Sequence, residues 1–490
     1  MLLRVLMRVG HFIAPLTLFS VLAAETAMSS TRGPLNQACP AGAIQLTPGV
    51  NIQAAVERAG VGARFCLKSG VHRLQAIRPM QGQRFYGEPG AVLNGSRQIN
   101  SFVHEGRFWV ASGQWQHGEK QGECLKSSPA CNRPEGVFMD DKPLAHVLSK
   151  NEVTQGRFYL DYGQGKLFLA DDPKGKIVEI TVAAFAFESN APGVHIRNLV
   201  VEKYASVAQR GAIQARHATG WVVENCEVRL NSGGGIGVGT GTRVQSCNIH
   251  HNGQMGVTGV GNDVLIEDNR IWANNIYGFD FRWEAGGVKL ALSTGVVMRG
   301  NDVHDNFGAG LWCDIDCHNV IYERNTVENN DESGIWHEIS FDAIIRDNVL
   351  RHNGKGYRIW FWGADILVAA SQNVEVYGNT ITSSAGACAI MLIDQGRTRK
   401  GGGEYKTRDN VVHDNDLHFD GSACAGGASD TLPGDENFSI ISDGNNVFDH
   451  NIYRLGQIEG PTRFAWGHDE YDWDGFRAHG AEPHGTQVVY

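Results

Sequence analysis

Acidic residues beside tryptophan recur at one interval in this chain. In 310–340, GLWCDIDCHNVIYERNTVENNDESGIWHEIS, the set Trp312, Asp314 and Asp316 is followed by Trp336, His337 and Glu338, and both Trp312 to Trp336 and Asp314 to Glu338 span 24 residues. Two carboxyl groups at a fixed separation can divide the work of glycosidic hydrolysis into a general acid and a nucleophile or water-activating base. Indoles flanking them suit a sugar ring, whose apolar face stacks while its hydroxyls reach the acids. Upstream, YGFDFRWEAGGVKLAL adds Tyr277, Asp280, Arg282, Glu284 and Lys289; downstream, RIWFWGADIL adds Trp360, Trp362 and Asp365.

A repeat sets the interval. Segments such as SCNIHHNGQMGV, GNDVHDNFGAGLW and RNTVENNDESGIW recur from about 220 to 390. One position is filled in turn by Cys226, Cys247, Asn269, Asn301, Asn325, Asn348 and Asn379, at intervals of 21, 22, 32, 24, 23 and 31. Five residues on, Asn231, Asn252, Asn274, Asn306, Asn330 and Asn353 form a second row. A period of 21–24 with alternating apolar residues predicts one turn of a parallel β-solenoid with three short strands per coil. Asparagine suits its tight turns, since it tolerates left-handed backbone and its amide can bond the next coil. The two longest coils carry loops of about eight extra residues, which on solenoids commonly build the binding face.

Alternation along each strand then predicts which side chains face out. Trp312, Asp314 and Asp316 point outward with Leu311, Cys313 and Ile315 inward; Trp336, Glu338 and Ser340 point outward with His337 inward. Taking FDFRWE as the matching strand gives three outward columns: Asp280–Trp312–Trp336, Arg282–Asp314–Glu338 and Glu284–Asp316–Ser340. Trp283 is then a core residue, and Lys289 and Asp365 reach the same rim from long loops. Clustered carboxylates repel, so at least one should have a raised pKa. Adjacent coils would place two of them near the ~5–5.5 Å of a retaining glycosidase.

The repeat resembles the right-handed parallel β-helix proteins, the fold of many secreted pectate lyases, polygalacturonases, alginate epimerases and tailspike-like proteins. The resemblance implies an all-β solenoid with an N-terminal capping helix, for which LTPGVNIQAAVERAGVGARFCLKSGVHRL (46–74) is the candidate. Tyr277, Gly278, Phe279 and Asp280 are also similar to the Tyr-Gly-Phe-Asp-Pro-His signature of alginate C5-epimerases, but Phe281 and Arg282 replace its proline and histidine. Without that histidine the epimerase activity is not carried over. The expected organisation is a signal peptide over 1–27, a cap and first coils over 36–100, a small β-rich insertion over 101–190, the β-helix core over 191–456 and a tail over 457–490.

Arg4 and Arg8 before the apolar run from Phe12 to Ala24 carry the signal-peptide expectation, and with it a secreted or periplasmic protein without a membrane contact after processing. Ten cysteines fit that compartment, with Cys39–Cys66, Cys124–Cys131, Cys226–Cys247 and Cys388–Cys424 as local pairs. Cys226–Cys247 leads because both occupy one ladder position on adjacent coils. A net charge of −10 argues against a nucleic-acid partner.

Hydrolysis of a poly- or oligosaccharide is the favoured function, since carboxylates outnumber bases. Glu338 would be the general acid, Asp314 or Asp316 the nucleophile or base, and Glu284 a further candidate. Arg282 would tune them, and Trp312, Trp336, Asp280, Tyr277, Trp360 and Trp362 would hold substrate. The alternative is a lyase or C5-epimerase of a uronic-acid polymer, which would centre on Arg282, Lys289 and His337. A non-catalytic carbohydrate-binding solenoid is the third reading. No cofactor is required and no metal ligands are assigned, although the acidic cluster is also a candidate Ca²⁺ site.

Overall fold

The computed structural model describes residues 39–355, 359–456 and 463–490. The region expected to be a signal peptide lies outside them. Short parallel strands stack into three long sheets of thirteen, thirteen and twelve strands among the described residues, and successive strands of the chain fall in different sheets. One coil shows the plan: Leu265–Glu267 in the first sheet, Arg270–Trp272 in the second and Gly286–Ala291 in the third. The result is a right-handed parallel β-helix, filled by stacked residues such as Val288, Leu311, Ile335 and Ile366.

Two buried asparagine ladders hold the coils in register. Asn269 donates through both its backbone N–H and Nδ2 to Oδ1 of Asn301, each at 3.0 Å, and through Nδ2 to the Val244 carbonyl at 2.9 Å. The same pattern carries on through Asn325, Asn348, Asn379 and Asn415 to Asn451. The second ladder runs from Asn231 to Asn353. Each ends on a carboxylate: Asn451 donates to Glu482 at 2.6 Å and Asn353 to Asp365 at 2.8 Å. A carboxyl oxygen accepts as the amide oxygen of the next rung would, so each row can close on one; the second row does so partway along the helix, where the other Asp365 oxygen meets the Ser383 hydroxyl. Asp365 is therefore buried in the wall of the helix instead of lying on the rim.

The predicted cap is the helix Ile52–Ala59, whose Asn51 side chain accepts the Ala54 N–H and whose Ile52 and Val56 close the core. An eight-stranded, mainly antiparallel sheet is built between residues 96 and 181. Buried Glu179 ties it to the helix through Arg73 at 2.6 Å and through Lys203. The end of the chain is not a loose tail. Phe464–Gly467 extends the third sheet, Trp473–Ala478 packs Phe476 into the core, and Thr486–Val489 adds to the second sheet. Its alternation was obscured by glycines and charges that serve the turns.

Cys39–Cys66, Cys124–Cys131 and Cys388–Cys424 are disulfides, while Cys226 and Cys247 are buried free thiols. Instead Cys247 Sγ accepts the Cys226 N–H at 3.4 Å, doing the work of an asparagine oxygen. Cys388 and Cys424, partners on adjacent strands, are bridged with their Cα atoms 4.3 Å apart.

Two predictions follow from the ladders. Asn306→Ala removes a rung on both sides and should lower unfolding stability by about 2–4 kcal/mol in denaturant titrations. Burial raises the Asp365 carboxyl to about 7, so the native state keeps a proton that the unfolded chain releases near 4. That contribution is present at low pH and lost as pH rises through 7. Asp365→Asn should thus gain about 2–4 kcal/mol relative to wild type between pH 4 and 8.

Candidate active site

The acids meet on the outer face of the third sheet, on consecutive rungs. Ala309–Asp314 pairs with Ile335–Glu338 so that Trp312 lies beside Trp336 and Asp314 beside Glu338. The register predicted from the 24-residue spacing therefore holds for these two coils. It fails for the coil before them, where Lys289 stands next to Trp312 and Ala291 next to Asp314. FDFRWE is not a strand: Asp280 caps the short helix Phe281–Glu284, accepting the Arg282 N–H at 3.0 Å, and the strand of this coil is Gly286–Ala291.

Lys289 is the hub of the cluster. Its ammonium lies 2.9 Å from Asp314 and 3.4 Å from Glu284, and 3.7 Å from the centre of the Trp312 ring. Burial opposes its charge, but Glu284 and Asp314 outweigh that and raise its pKa. Glu338 contacts Arg397 at 3.3 Å. Burial drives the Glu338 carboxyl up to about 8, and the Asp314 charge adds to the rise. Asp314 and Glu338 are 6% and 7% exposed. One carboxyl paired with a cation thus sits beside one carboxyl that favours its protonated form.

Several expected partners lie elsewhere. His337 points into the core, where burial lowers it to about 4, and Tyr322 is its neighbour at 3.4 Å. Arg282 is occupied by Asp280, its Nε donating at 2.9 Å, so neither enters the carboxylate columns. Tyr277 packs against the insertion, next to Gly136, where a Cβ would fall 2.0 Å from the tyrosine hydroxyl. Asp316 leaves the column because the strand ends at Asp314 and the chain turns left-handed at Ile315 and Asp316; it pairs with Arg399 at 2.8 Å. The same turn exposes Ile315, expected in the core. Trp283 is half-buried on Phe279, 6.2 Å between ring centres, outside the helix core.

The tryptophans also differ from expectation. Trp312 and Trp336 stack on each other at 4.3 Å and 5°, and Lys289 covers the other face of Trp312. Their faces are thus taken up within the protein. Their indole N–H groups are buried without a hydrogen-bond partner among the described residues, which leaves two donors for a ligand. Trp362 meets Trp336 edge-on at 6.2 Å, and Trp360 is an indole with an exposed surface (45%).

Four contributing residues were not picked out in the sequence. Arg397 and Arg399 come from a long loop two coils further on, folded back as a hairpin by Tyr405 N–H to Arg397 O at 2.8 Å and stapled at its base by Thr407 N–H to Asp394 at 2.8 Å. The basic run GRTRKGGGEYK was the available signal, but its reach of 59 residues back to Glu338 exists only in the fold. Glu332, fully buried with one oxygen unpartnered among the described residues, is raised to about 7 by burial and adds to the charge felt by Glu338. Gln209 donates to Glu284 at 2.7 Å.

Ca²⁺ needs six to eight oxygens, yet no three of these acids bring oxygens within 4.8 Å of one another among the described residues, and Lys289 already stands between them.

Residues 211–370 match the family described as right handed beta helix region. No curated protein sequence matches the chain. Among solved structures it is similar to XylC in complex with xylose, at TM-score 0.64 and 14% identity, over 90% of this chain and 82% of that one. The A-module of Azotobacter vinelandii mannuronan C-5 epimerase AlgE6 gives 0.48 at 13% identity, over 90% and 93% of the two chains. A glycoside hydrolase gives 0.42 at 10%, over 78% and 96%. The likeness to XylC shows the fold. The chemistry rests on the side chains above.

Removing the hub should expose how the cluster is balanced. Lys289→Met leaves Glu284, Asp314 and Glu338 without their shared cation, at a cost of about 3–5 kcal/mol when the acids are ionised. Melting curves should show a larger loss at pH 9 than at pH 5, where Glu338, whose carboxyl burial pushes up to about 8, is protonated.

Proposed function

We propose that the protein is a retaining glycoside hydrolase, with Asp314 as nucleophile and Glu338 as general acid and then general base. The observation that carries this reading is the direct pairing of Asp314 with Glu338 on adjacent strands of one face. Side chains so paired are spaced by about one strand separation, ~4.8 Å, close to the ~5–5.5 Å of retaining enzymes and too narrow for the water that an inverting enzyme places between its acids.

The protonation states fit the division of labour. Glu338, raised to about 8 by burial, carries the proton needed by a leaving oxygen at neutral pH. Asp314, in contact with the Lys289 ammonium, is the partner suited to attack the anomeric carbon. Asp314 would form the glycosyl ester as Glu338 gives its proton to the departing hydroxyl. Water, deprotonated by Glu338, would then cleave that ester. Arg397 and the two indole N–H groups are donors suited to sugar hydroxyls. Burial of both acids favours a sugar at a chain end over a polymer lying across an open face. The likeness to XylC, whose structure is a complex with xylose, supports a sugar ligand.

The lyase or epimerase reading lacks a base. Lys289 has a raised pKa, which keeps it protonated, and His337 faces the core. We also propose that catalysis proceeds without Ca²⁺ and that the protein acts outside the cytoplasm, consistent with its three disulfides.

The test is product analysis on neutral and uronic-acid glycans. Each cleaved bond should add one water across its two products, and the first anomer seen by NMR should keep the substrate's configuration; an unsaturated end would overturn the reading. Glu338→Gln should lower kcat/KM on alkyl glycosides by about 10²–10⁴ while sugar binding survives, which separates an enzyme from a binding protein. In wild type, kcat/KM should fall as pH rises through 8, as Glu338 loses its proton.

A further inference from the structure

A second cavity lies where the inserted sheet meets the helix. It holds about 310 Å³, and none of the acid cluster's residues lines it. Three separate pieces of chain form its walls: the loop closed by Cys124–Cys131, the insertion strand Lys142–His146, and the coil turn at Ile276 and Tyr277. These pieces are fixed to one another. The Leu125 N–H donates to Gly278 O at 3.0 Å and the Asp280 N–H to Glu123 O at 2.9 Å, on either side of the disulfide loop.

The polar groups in this cavity are what call for a ligand. Both ring nitrogens of His146 are shut off from solvent and have no hydrogen-bond partner among the described residues, while its ring stacks on Phe158 at 4.3 Å. Burial lowers His146 to about 3, so the ring is neutral and offers one donor and one acceptor. Leaving two such groups unmet is costly unless something occupies the space. Glu135, itself buried, accepts from Tyr162 at 2.7 Å, and the Arg133 guanidinium lies 4.9 Å over the Tyr162 ring.

We infer that this cavity is an accessory binding site for a single sugar residue, separate from the Asp314–Glu338 pair. A neutral imidazole, a carboxylate and a guanidinium along an aromatic wall match an array of hydroxyls, each of which both donates and accepts. The charged lining is mixed, Glu135 and Glu152 against Lys126, Arg133 and Arg157, which suits a neutral polyhydroxyl ligand better than a phosphate, and an apolar ligand would leave the imidazole unmet. The volume is about ten times the ~30 Å³ share of one water and within the range of small-ligand sites. The choice of a sugar over other polyols rests on the function proposed above. The turn at Tyr277 leads through Asp280 to Glu284, so a glycan held here would be anchored on the coil that carries the Lys289 hub.

Saturation-transfer NMR on Glu338→Gln protein, with methyl glycosides of xylose, arabinose, glucose, galactose, mannose and glucuronic acid as probes, tests the inference. Ala145 lines the cavity from its exposed side, so Ala145→Trp added to that background should fill it. At least one glycoside should bind the parent and lose tenfold or more in affinity with Ala145→Trp, and likewise with His146→Phe, with melting temperatures confirming folded protein. Equal binding in parent and Ala145→Trp, or no binding by any probe, would overturn it. In an otherwise wild-type chain, Ala145→Trp should hydrolyse small aryl glycosides at the wild-type rate. Cavity binding in a protein that hydrolyses nothing would support this site while overturning the catalytic proposal.

Discussion

Coil-to-coil register is the constraint on which everything else rests. A parallel solenoid gains its active face by stacking residues from segments 21 to 32 positions apart, and slipping one residue would turn each outward side chain inward. The asparagine ladders prevent that slip. Each carboxamide donates forward to the next coil and to a backbone carbonyl and accepts two bonds from behind, so a shifted coil would leave several buried polar groups unmet. Asp365 and Glu482, which only need to accept, close the two rows.

That rigidity lets the outer face carry an arrangement that would otherwise relax. Asp314 and Glu338 stand side by side because their strands are paired, despite their mutual repulsion. The repulsion is divided unequally: Lys289 compensates Asp314, while burial and the neighbouring charge favour the protonated form of Glu338. The Trp312–Trp336 stack serves as a wall that dries the site and aims two N–H groups, and Lys289 is held over one of its faces. Substrate recognition in this account depends on those edges and on the arginine loop more than on stacking against indole faces.

Much of this was legible in the sequence, and the failures have particular causes. The ladder asparagines and the Asp314–Glu338 pairing could be read because a repeated period reports register directly. The coil before them was misread because it contains two alternating stretches, FDFRWE and GVKLAL, and only one is a strand. The capping geometry at Asp280, with Glu284 in the first helical turn, was the missed signal. Asp316 and Ile315 departed from alternation because left-handed turns end the strand two residues earlier than the pattern implies. The Cys226–Cys247 pair shares one ladder position as the repeat implied, but Cys247 serves there as an acceptor for the Cys226 N–H and both thiols are free. Arg397 and Arg399 could not have been assigned, since their contacts depend on a hairpin folding back over two coils.

The central claim is that Asp314 attacks and Glu338 donates, and covalent trapping tests it most directly. Protein incubated with an activated 2-deoxy-2-fluoro glycoside of the sugar it releases should gain one glycosyl unit, and peptide mass spectrometry should locate that unit on Asp314. A label on Glu284, Asp316 or Glu338, or none despite turnover with one added water, would contradict the account.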